Sequence, residues 1–507
     1  MTMNAAVEPA SLSIGRRAQR DLVPFRIRHL DGFHVLTNDL GDHMLLDDGQ
    51  LEQMLQGKYA KGDPLWARMV ERNFIASELD RKALVARQKE KLKFMAYGPN
   101  LHILVVTLRC DHTCQYCHAS RAPMGAHETD MSIETVERSV DFAFESTSPG
   151  LTIEFQGGEP LANWPVVEHA IEYALQKNAL AGKSLTFALV TNLSLMDEDK
   201  LAYLIERRVQ ICTSLDGPEA IHNAVRIYKE GNAHANVVRW MKRINARYIE
   251  SGLDPQLYRI EALPTISRLM LSDPKALLDH YVDVGCHSIF LRHLDPFGFA
   301  AHTKRRIGYS MDEFLVFFEQ ALDYVIELNR NGVDFIERTT SLFLARIIAH
   351  QEPNFLDIRN PCGAGIGQMA YNYDGRIFTC DEGRMVDASS AANDCFVIGN
   401  VASDEYKDVV AGPIVRAMTI ASTLQGQPGC STCAYLPWCG ICPTHNYIEQ
   451  GSIQGRMADS TWCKKHMGIL DLIMRKLQRA DAFELELFER WTQVREQPHF
   501  LHECGEF

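Results

Sequence analysis

Three cysteines lie close together in the order C-x3-C-x2-C: Cys110, Cys114 and Cys117. Three thiolates so close can hold three irons of a [4Fe–4S] cube and leave the fourth iron open to an outside ligand. A structural zinc site wants four ligands, and His112 or His118 could complete one here. A second concentration comes late in the chain: Cys430, Cys433, Cys439 and Cys442, preceded by Cys362 and Cys380 and followed by Cys463. Fourteen cysteines in 507 residues is a high count. A disulfide framework would be expected in a short, exported, loop-rich chain. This chain is long, and Met1 to Arg20 lacks the apolar core of a secretory signal. The cytoplasm is therefore the expected compartment, and metal the expected use of the clustered thiols. Cys212, Cys286, Cys395 and Cys504 fall outside these groups; Cys212 and Cys286 sit in apolar runs and read as core residues.

The first group follows a strand. Leu101–Leu108 is an apolar strand-like run, and the pattern then alternates. Helical Ile133–Glu145 is followed by strand Leu151–Phe155 and helical Val166–Lys177. Strand Leu185–Val190, helical Glu198–Arg207 and strand Val209–Ser214 come next. The alternation continues through Arg259–Pro264, Pro274–Val284 and Ser288–Arg292. Strands and helices at this spacing predict βαβ units and a parallel sheet. About six such units predict a partial (β/α)6 TIM-like barrel, an α/β fold whose reactive residues sit at the carboxyl ends of the strands. Before it, residues 21–75 read as short strands broken at Asp31-Gly32 and Leu40-Gly41, then helices over Gly49–Gln56 and Leu65–Asn73. Residues 1–20 look loose, and 78–98 read as a charged linking helix. Met311–Asn329 reads as a helix, and Gly468–Glu489 as one amphipathic helix. The expected domains are 1–95, 96–310, a connecting segment 311–359, a cysteine-rich domain 360–470, and a tail 471–507.

Further motifs fall at the predicted strand ends. Gln156-Gly157-Gly158-Glu159-Pro160 follows the second strand of the barrel, Thr191-Asn192 ends the third, and Ser214-Leu215-Asp216-Gly217-Pro218 ends the fourth. His222 and Arg226 follow at helical spacing. Read alone, the glycines are an ordinary turn and Arg226 a solvent-facing arginine. Together with C-x3-C-x2-C and Tyr116 before its last cysteine, the set resembles the signature of the radical S-adenosylmethionine (SAM) superfamily. The resemblance implies that the open iron of a [4Fe–4S] cluster on Cys110, Cys114 and Cys117 binds SAM and that reductive cleavage yields a 5′-deoxyadenosyl radical. It implies SAM-binding roles for Tyr116, Gly157, Gly158, Glu159, Thr191, Asn192, Ser214, Asp216 and Arg226, with Glu159 accepting from the methionyl ammonium.

The second cysteine set, Cys362-x12-Gly375-x4-Cys380 followed by Cys430, Cys433, Cys439, Cys442 and Cys463, resembles the SPASM extension of radical SAM peptide maturases. The resemblance implies two auxiliary [4Fe–4S] clusters, three in all: an outer one on Cys430, Cys433, Cys439 and Cys463, and an inner one on Cys362, Cys380 and Cys442. Two departures stand out. The last spacing of the quartet is x2 where the common pattern has x3, and no eighth cysteine lies between Cys362 and Cys380. The inner cluster is expected to have an open iron, or to take Cys395 or a non-cysteine ligand such as Asp381. In sulfatase-maturing relatives an acid at the position of Asp381 is a proposed base, which makes Asp381 the catalytic candidate; its plain alternative is an acidic loop residue beside Glu382.

The N-terminal strands and helices suggest a small winged-helix-like module that binds a leader peptide as an added strand; a scaffold is the alternative. The stretch 21–42 with Ile289–Phe299 looks like the maturase of the His-Xaa-Ser repeat system. That resemblance implies a precursor peptide as substrate, an external flavodoxin- or ferredoxin-type electron donor, and a crosslink or oxidation installed on the peptide. One rival is a sulfatase-type maturase acting on Cys or Ser of a protein. The other is a non-catalytic iron–sulfur electron carrier, against which a SAM-binding loop argues. The net charge of −13 predicts no nucleic-acid partner, and no apolar run approaches the roughly 20 residues that span a bilayer.

Overall fold

The computed structural model describes residues 14–353, 355–389, 394–493 and 495–502. Cys504 and the first 13 residues lie outside the described residues. Among the described residues no helix is long and apolar enough to cross a membrane.

The N-terminal sheet is three antiparallel strands in sequence order: β1 (Phe25–Leu30), β2 (Phe33–Asn38) and β3 (His43–Leu46). Asp31 and Gly32, both at positive φ, make the first turn. The two faces of β2 part company, as alternation in a strand requires. Leu36 packs with Met44, Leu46, Met54 and Met69 in a small local core. Val35 faces the other way, into the main core with Leu30 and Phe33. Helix Asp48–Leu55 starts from a capping box of Asp47 and Gln50, and helix Pro64–Glu71 carries proline in its first turn. The charged link is a helix only over Arg81–Lys91; it buries no residue and gives way to a 3-10 turn at Lys93–Ala96.

The main body is an α/β structure around a mixed eight-stranded sheet. Its parallel part is β4 (Leu101–Thr107), β6 (Gly150–Gly157), β7 (Ser184–Thr191), β8 (Val209–Thr213) and β10 (Glu261–Ala262). Between them in sequence lie helices Ile133–Phe144, Trp164–Ala181, Glu198–Glu206 and Ala233–Glu250. A short β5 (His112–Cys114) pairs with β9 (Arg226–Tyr228) outside this sheet.

The sheet differs from the expected run of six βα units at its two edges. The sixth strand, β11 (Ser288–Ile289), pairs with β12 (Ile336–Glu337) and not with β10. Among the described residues a bridge between Thr265 and Arg292 spans that gap. On the β4 side the sheet gains three strands from the cysteine-rich region: β13 (Gln368–Tyr371), parallel to β4, then antiparallel β14 (Arg376–Phe378) and β15 (Val397–Asn400). Apolar β13 is buried along its whole length, so pairing with β4 satisfies its backbone groups away from water.

The C-terminal amphipathic segment is two helices, Thr461–Arg479 and Ala482–Trp491. Ala480 is extended at ψ 132, and the Asp481 side chain caps the second helix by accepting from Glu484 N. Arg330 holds both Asp481 and Glu484.

Candidate functional site

The first cysteine loop leaves β4 and is gripped from two sides. On one side β5 pairs with β9, which puts Cys114 directly opposite Arg226, whose Nη1 lies 3.8 Å from Cys114 Sγ. On the other, Gly298 at φ +54 lets its loop close on Cys117: a Cβ there would stand 2.5 Å from Cys117 O, and Phe299 N donates to that oxygen.

Gly157 and Gly158 serve the same loop. Gly157 sits at φ +145, and a Cβ on it would meet Thr107 O at 2.0 Å; one on Gly158 would meet Leu108 O and Arg109 O at 2.4 Å. Only glycine permits this approach. It brings the exit of β6 against the segment entering the cysteine loop, with Gly158 N donating to Thr107 O and Glu159 N to Arg109 O, each at 2.8 Å.

Glu159 is fully buried. It accepts from Leu161 N at 3.0 Å, Thr191 Oγ1 at 2.7 Å and Asn192 N at 2.8 Å. Burial pushes its carboxyl up to about 7 against the pull of these bonds. Three acceptor sites are thus taken by the protein, and Glu159 positions the turn after β7. In that turn Leu193 adopts φ +61, a costly conformation for leucine. Asn192 is thereby held with Nδ2 3.1 Å from Asp111 Oδ1 and 3.7 Å from Cys110 Sγ. Asp111 is pushed up by burial but ends below its ordinary value because His112, Ser194 and Asn192 bond to it.

Asp216, fully buried, ties the other wall together. Its Oδ2 accepts from Arg226 Nε at 2.6 Å and from the Tyr116 hydroxyl, and its Oδ1 from Thr265 N at 2.9 Å. His222 Nδ1 accepts from Asp216 N. Ser214 is half-buried at the end of β8. Cys110, Cys114, Thr191, Asn192, Asp216 and Arg226 therefore converge at the carboxyl ends of β4, β7 and β8.

The other cysteines form two groups. Cys362, Cys380 and Cys442 are mutual neighbours, each under a tenth exposed. Cys380 Sγ accepts from Gly383 N at 3.3 Å and Cys442 Sγ from His445 N at 3.4 Å. Gly375, at φ +82, makes the β13–β14 turn that delivers Cys380. The register Ala370↔Phe378 and Gln368↔Leu101 puts Cys380 level with the start of β4, whereas Cys110 follows its end. At about 3.3 Å per residue these two groups stand on the order of 20 Å apart along β4. Cys430, Cys433, Cys439 and Cys463 line a cavity of about 940 Å³. Both groups suit a cationic guest. Burial pushes Cys362 and Cys430 up to about 12 and Cys463 to about 11, so a buried set of thiolates needs a positive centre among them.

Residues 104–255 match the profile of the Radical SAM superfamily. The chain carries a radical SAM domain. Three curated relatives are similar to parts of this chain. A radical SAM cyclopropyl synthase, TigE, of Paramaledivibacter caminithermalis is 21% identical over 39% of this chain and 42% of its own length. A serine-type anaerobic sulfatase-maturating enzyme of Bacteroides thetaiotaomicron is 22% identical over 57% of this chain and 72% of its own. An uncharacterized protein of Methanocaldococcus jannaschii is 30% identical over 27% of this chain and 45% of its own. The chain thus spans under half the length of two of these relatives. The fold is similar to that of native anSMEcpe with bound AdoMet, at TM-score 0.61 and 17% identity over 77% of this chain and 99% of that one. It is also similar to Streptococcus suis SuiB bound to precursor peptide SuiA, at TM-score 0.51 and 16% identity over 87% of this chain and 99% of that one.

Near the inner cysteine group buried charged side chains make a polar interior. On the inner face of β4, Ile103 and Val105 pack with Phe297, Cys362 and Cys380. Glu154 on β6 is pushed up by burial and has Asp381 and Arg292 as charged neighbours. Asp381 is here, but its Oδ1 accepts from the buried Arg384 at 2.9 Å. Cys395 is exposed, 3.5 Å from the Tyr447 hydroxyl. Cys286 is buried in the main core, and Cys212 is partly buried on β8.

Reasoning from sequence missed a second polar cluster. His293 Nε2 lies 3.1 Å from Asp295 Oδ1, Lys465 Nζ lies 3.3 Å from His293 Nδ1, and His445 is close to both His293 and Asp295. His293 and Asp295 lie inside the string that carried the subfamily resemblance, but Lys465 and His445 come from helices more than 140 residues later. Asp111, within the first cysteine loop, was also passed over.

Proposed function

We propose that this chain is a radical SAM enzyme that uses three [4Fe–4S] clusters to install a crosslink or an oxidation on a ribosomally made peptide, of the His-Xaa-Ser type. The observation that carries the reading is the arrangement of thiols. Cys110, Cys114 and Cys117 share the carboxyl end of the sheet with a preorganised set of Asn192, Asp216 and Arg226, and the chain gathers two more groups of cysteines. Four ligands for one group and three for the other exceed what a zinc ribbon uses. Cys430, Cys433, Cys439 and Cys463 would hold the outer cluster, and Cys362, Cys380 and Cys442 the inner one.

When bound, the clusters and SAM supply one-electron chemistry that removes a hydrogen atom from carbon. The protein's residues do the rest. Arg226, neutralised on one edge by Asp216, keeps donors beside Cys114 for the carboxylate of a bound amino acid. Asn192, held by Glu159, orients polar atoms beside Cys110. The polar interior with Glu154, Arg292 and Asp381 would receive the peptide side chain, and its carboxylates would take the proton released on oxidation.

The N-terminal module would hold the peptide. It is anchored on the outer cysteine loop, where Arg26 donates to Ser431 O at 2.7 Å and Thr37 to Ala434 O at 2.6 Å, and on helix Thr461–Arg479, where Arg28 pairs bidentately with Asp471. A strand added to its sheet would lead toward that loop.

Anaerobic reconstitution with SAM, a low-potential reductant and a His-Xaa-Ser-rich peptide, read by mass spectrometry, tests the proposal. Loss of two hydrogens without hydrazide reactivity is expected. A hydrazide-reactive aldehyde on a Cys or Ser substrate would replace it with sulfatase-type maturation, and absence of SAM cleavage would remove it.

A further inference from the structure

The N-terminal module carries a group of metal-ligand side chains that the radical chemistry leaves unused. The β1–β2 register sets Ile27 opposite Leu36 and, further along the same face, His29 opposite His34. Ile27 and Leu36 pack in the local core, where helix Asp48–Leu55 lays Leu51 and Met54 over them. The two histidines continue that face to the end of the hairpin, with ring centroids 4.7 Å apart. The helix begins beside them, and Asp48 Oδ1 lies 2.8 Å from His34 Nε2. One ligand atom from each of His29, His34 and Asp48 lies within 4.8 Å of the other two. Neighbouring acids are engaged elsewhere: Asp31 accepts from Arg475, and Asp47 from Gln50 N at the helix cap. Among the described residues His29 has no side-chain hydrogen bond, and the His34 ring has Asp48 alone, its Nδ1 having none. His29 and Asp48 are exposed, which gives an ion and its water a way in.

We propose that His29, His34 and Asp48 bind a divalent transition-metal ion of the zinc type. Two imidazoles and a carboxylate suit zinc and its first-row neighbours, whereas calcium and magnesium want oxygen throughout. Three protein ligands leave the fourth tetrahedral position to water. Around zinc, with bonds of about 2.0–2.1 Å, ligand atoms stand roughly 3.3 Å apart. His34 and Asp48 are already near that spacing, and the exposed His29 reaches it by a change of rotamer. The step is a ligation: the histidines bind as neutral rings and Asp48 as the anion, any displaced proton passes to water, and no electron moves. The site stands apart from the proposed clusters, since no cysteine belongs to the local core beneath it. Its consequence is mechanical. The ion ties the end of the β1–β2 hairpin to the first turn of helix Asp48–Leu55 and stiffens the module to which the proposed function gives the peptide.

The test uses the full chain, reconstituted anaerobically with iron and sulfide and freed of loosely bound metal over a chelating resin. Zinc chloride is the probe. X-ray absorption at the zinc edge should show nitrogen and oxygen at about 2.0–2.1 Å with the scattering of imidazole. His29→Gln and Asp48→Asn, both at exposed positions that tolerate exchange, should each weaken zinc binding about tenfold or more by calorimetry, since even partners behind a ligand are worth that much. Asp31→Asn, on the same hairpin, should leave the affinity unchanged. Zinc should slow amide exchange over residues 28–35 and 47–51 in the parent and not in the His29→Gln, Asp48→Asn double variant. A zinc shell of sulfur alone, at about 2.3 Å, would place the ion on cysteines and overturn the proposal. So would the absence of binding at micromolar zinc, which would leave His34 and Asp48 as a surface hydrogen bond. Where cysteines take zinc as well, the comparison of parent with double variant decides: an imidazole signal that the double variant keeps in full refutes the site.

Discussion

The Asp216–Arg226 pair offers the sharpest test of how the first cysteine loop is held. Asp216 is fully buried, Arg226 is 8% exposed, and the pair closes at 2.6 Å. Asp216→Ala would strand a guanidinium, the Tyr116 hydroxyl and Thr265 N together. Removing one partner of a buried pair costs about 3–5 kcal/mol. The loss should concentrate in the β5–β9 ribbon, which has only three residue pairs and includes Cys114↔Arg226. At about 1.4 kcal/mol per tenfold, amide protection there should fall by roughly two to nearly four decades. Hydrogen exchange with mass spectrometry on metal-free protein, read over residues 112–117 and 224–228, measures this directly. Replacing both partners, with Asp216→Leu and Arg226→Met, should recover most of the protection, because no buried charge is then left alone. Protection within threefold of the parent after Asp216→Ala would refute the reasoning, as would a double variant less protected than the single one.

Three further outcomes are expected. Cys110→Ala, Cys114→Ala and Cys117→Ala together should remove about four irons and abolish SAM cleavage while leaving the auxiliary irons, measured by iron assay and 5′-deoxyadenosine release. The Glu159 carboxyl, raised by burial to about 7 from 4.5, binds its proton more tightly in the folded protein, so its contribution to stability is present at low pH and lost as pH rises from about 4.5 through 7. That contribution amounts to about 3 kcal/mol, and Glu159→Gln should flatten this part of the stability–pH curve; an unaltered curve would mean Glu159 is ionised throughout. Gly157→Ala places a methyl 2.0 Å from Thr107 O at φ +145 and should lower the melting temperature and SAM affinity together, whereas Gly62→Ala, where a Cβ meets nothing within 4 Å, should leave SAM affinity unchanged.

Much of the site was legible along the chain because its pieces are local. The spacing of Cys110, Cys114 and Cys117 sets which thiols can share a guest, and the alternation of apolar strands with helices placed these residues at strand ends. Helix limits such as Met311–Arg330, opened by a capping box of Ser310 and Glu313, follow from residues within one turn. What only the tertiary structure decided depends on partners far away in sequence. Gly157 must be glycine because of Thr107, 50 residues earlier, and Glu159 turns inward because Thr191 and Asn192 are there to bond it. Asp216 and Arg226 are ten residues apart, yet their pairing is fixed by β9 crossing to β5. The two-residue β11 leaves the sheet, and β13 joins it, because buried backbone groups go wherever a partner strand is free, a choice no local pattern encodes. Asp381 and Glu382 make the same point at closest range. They are adjacent and both acidic in sequence; Arg384 engages one, while the other has Asp357, Asp381 and Arg292 as its charged neighbours, and that difference in neighbours decides what each carboxylate can do.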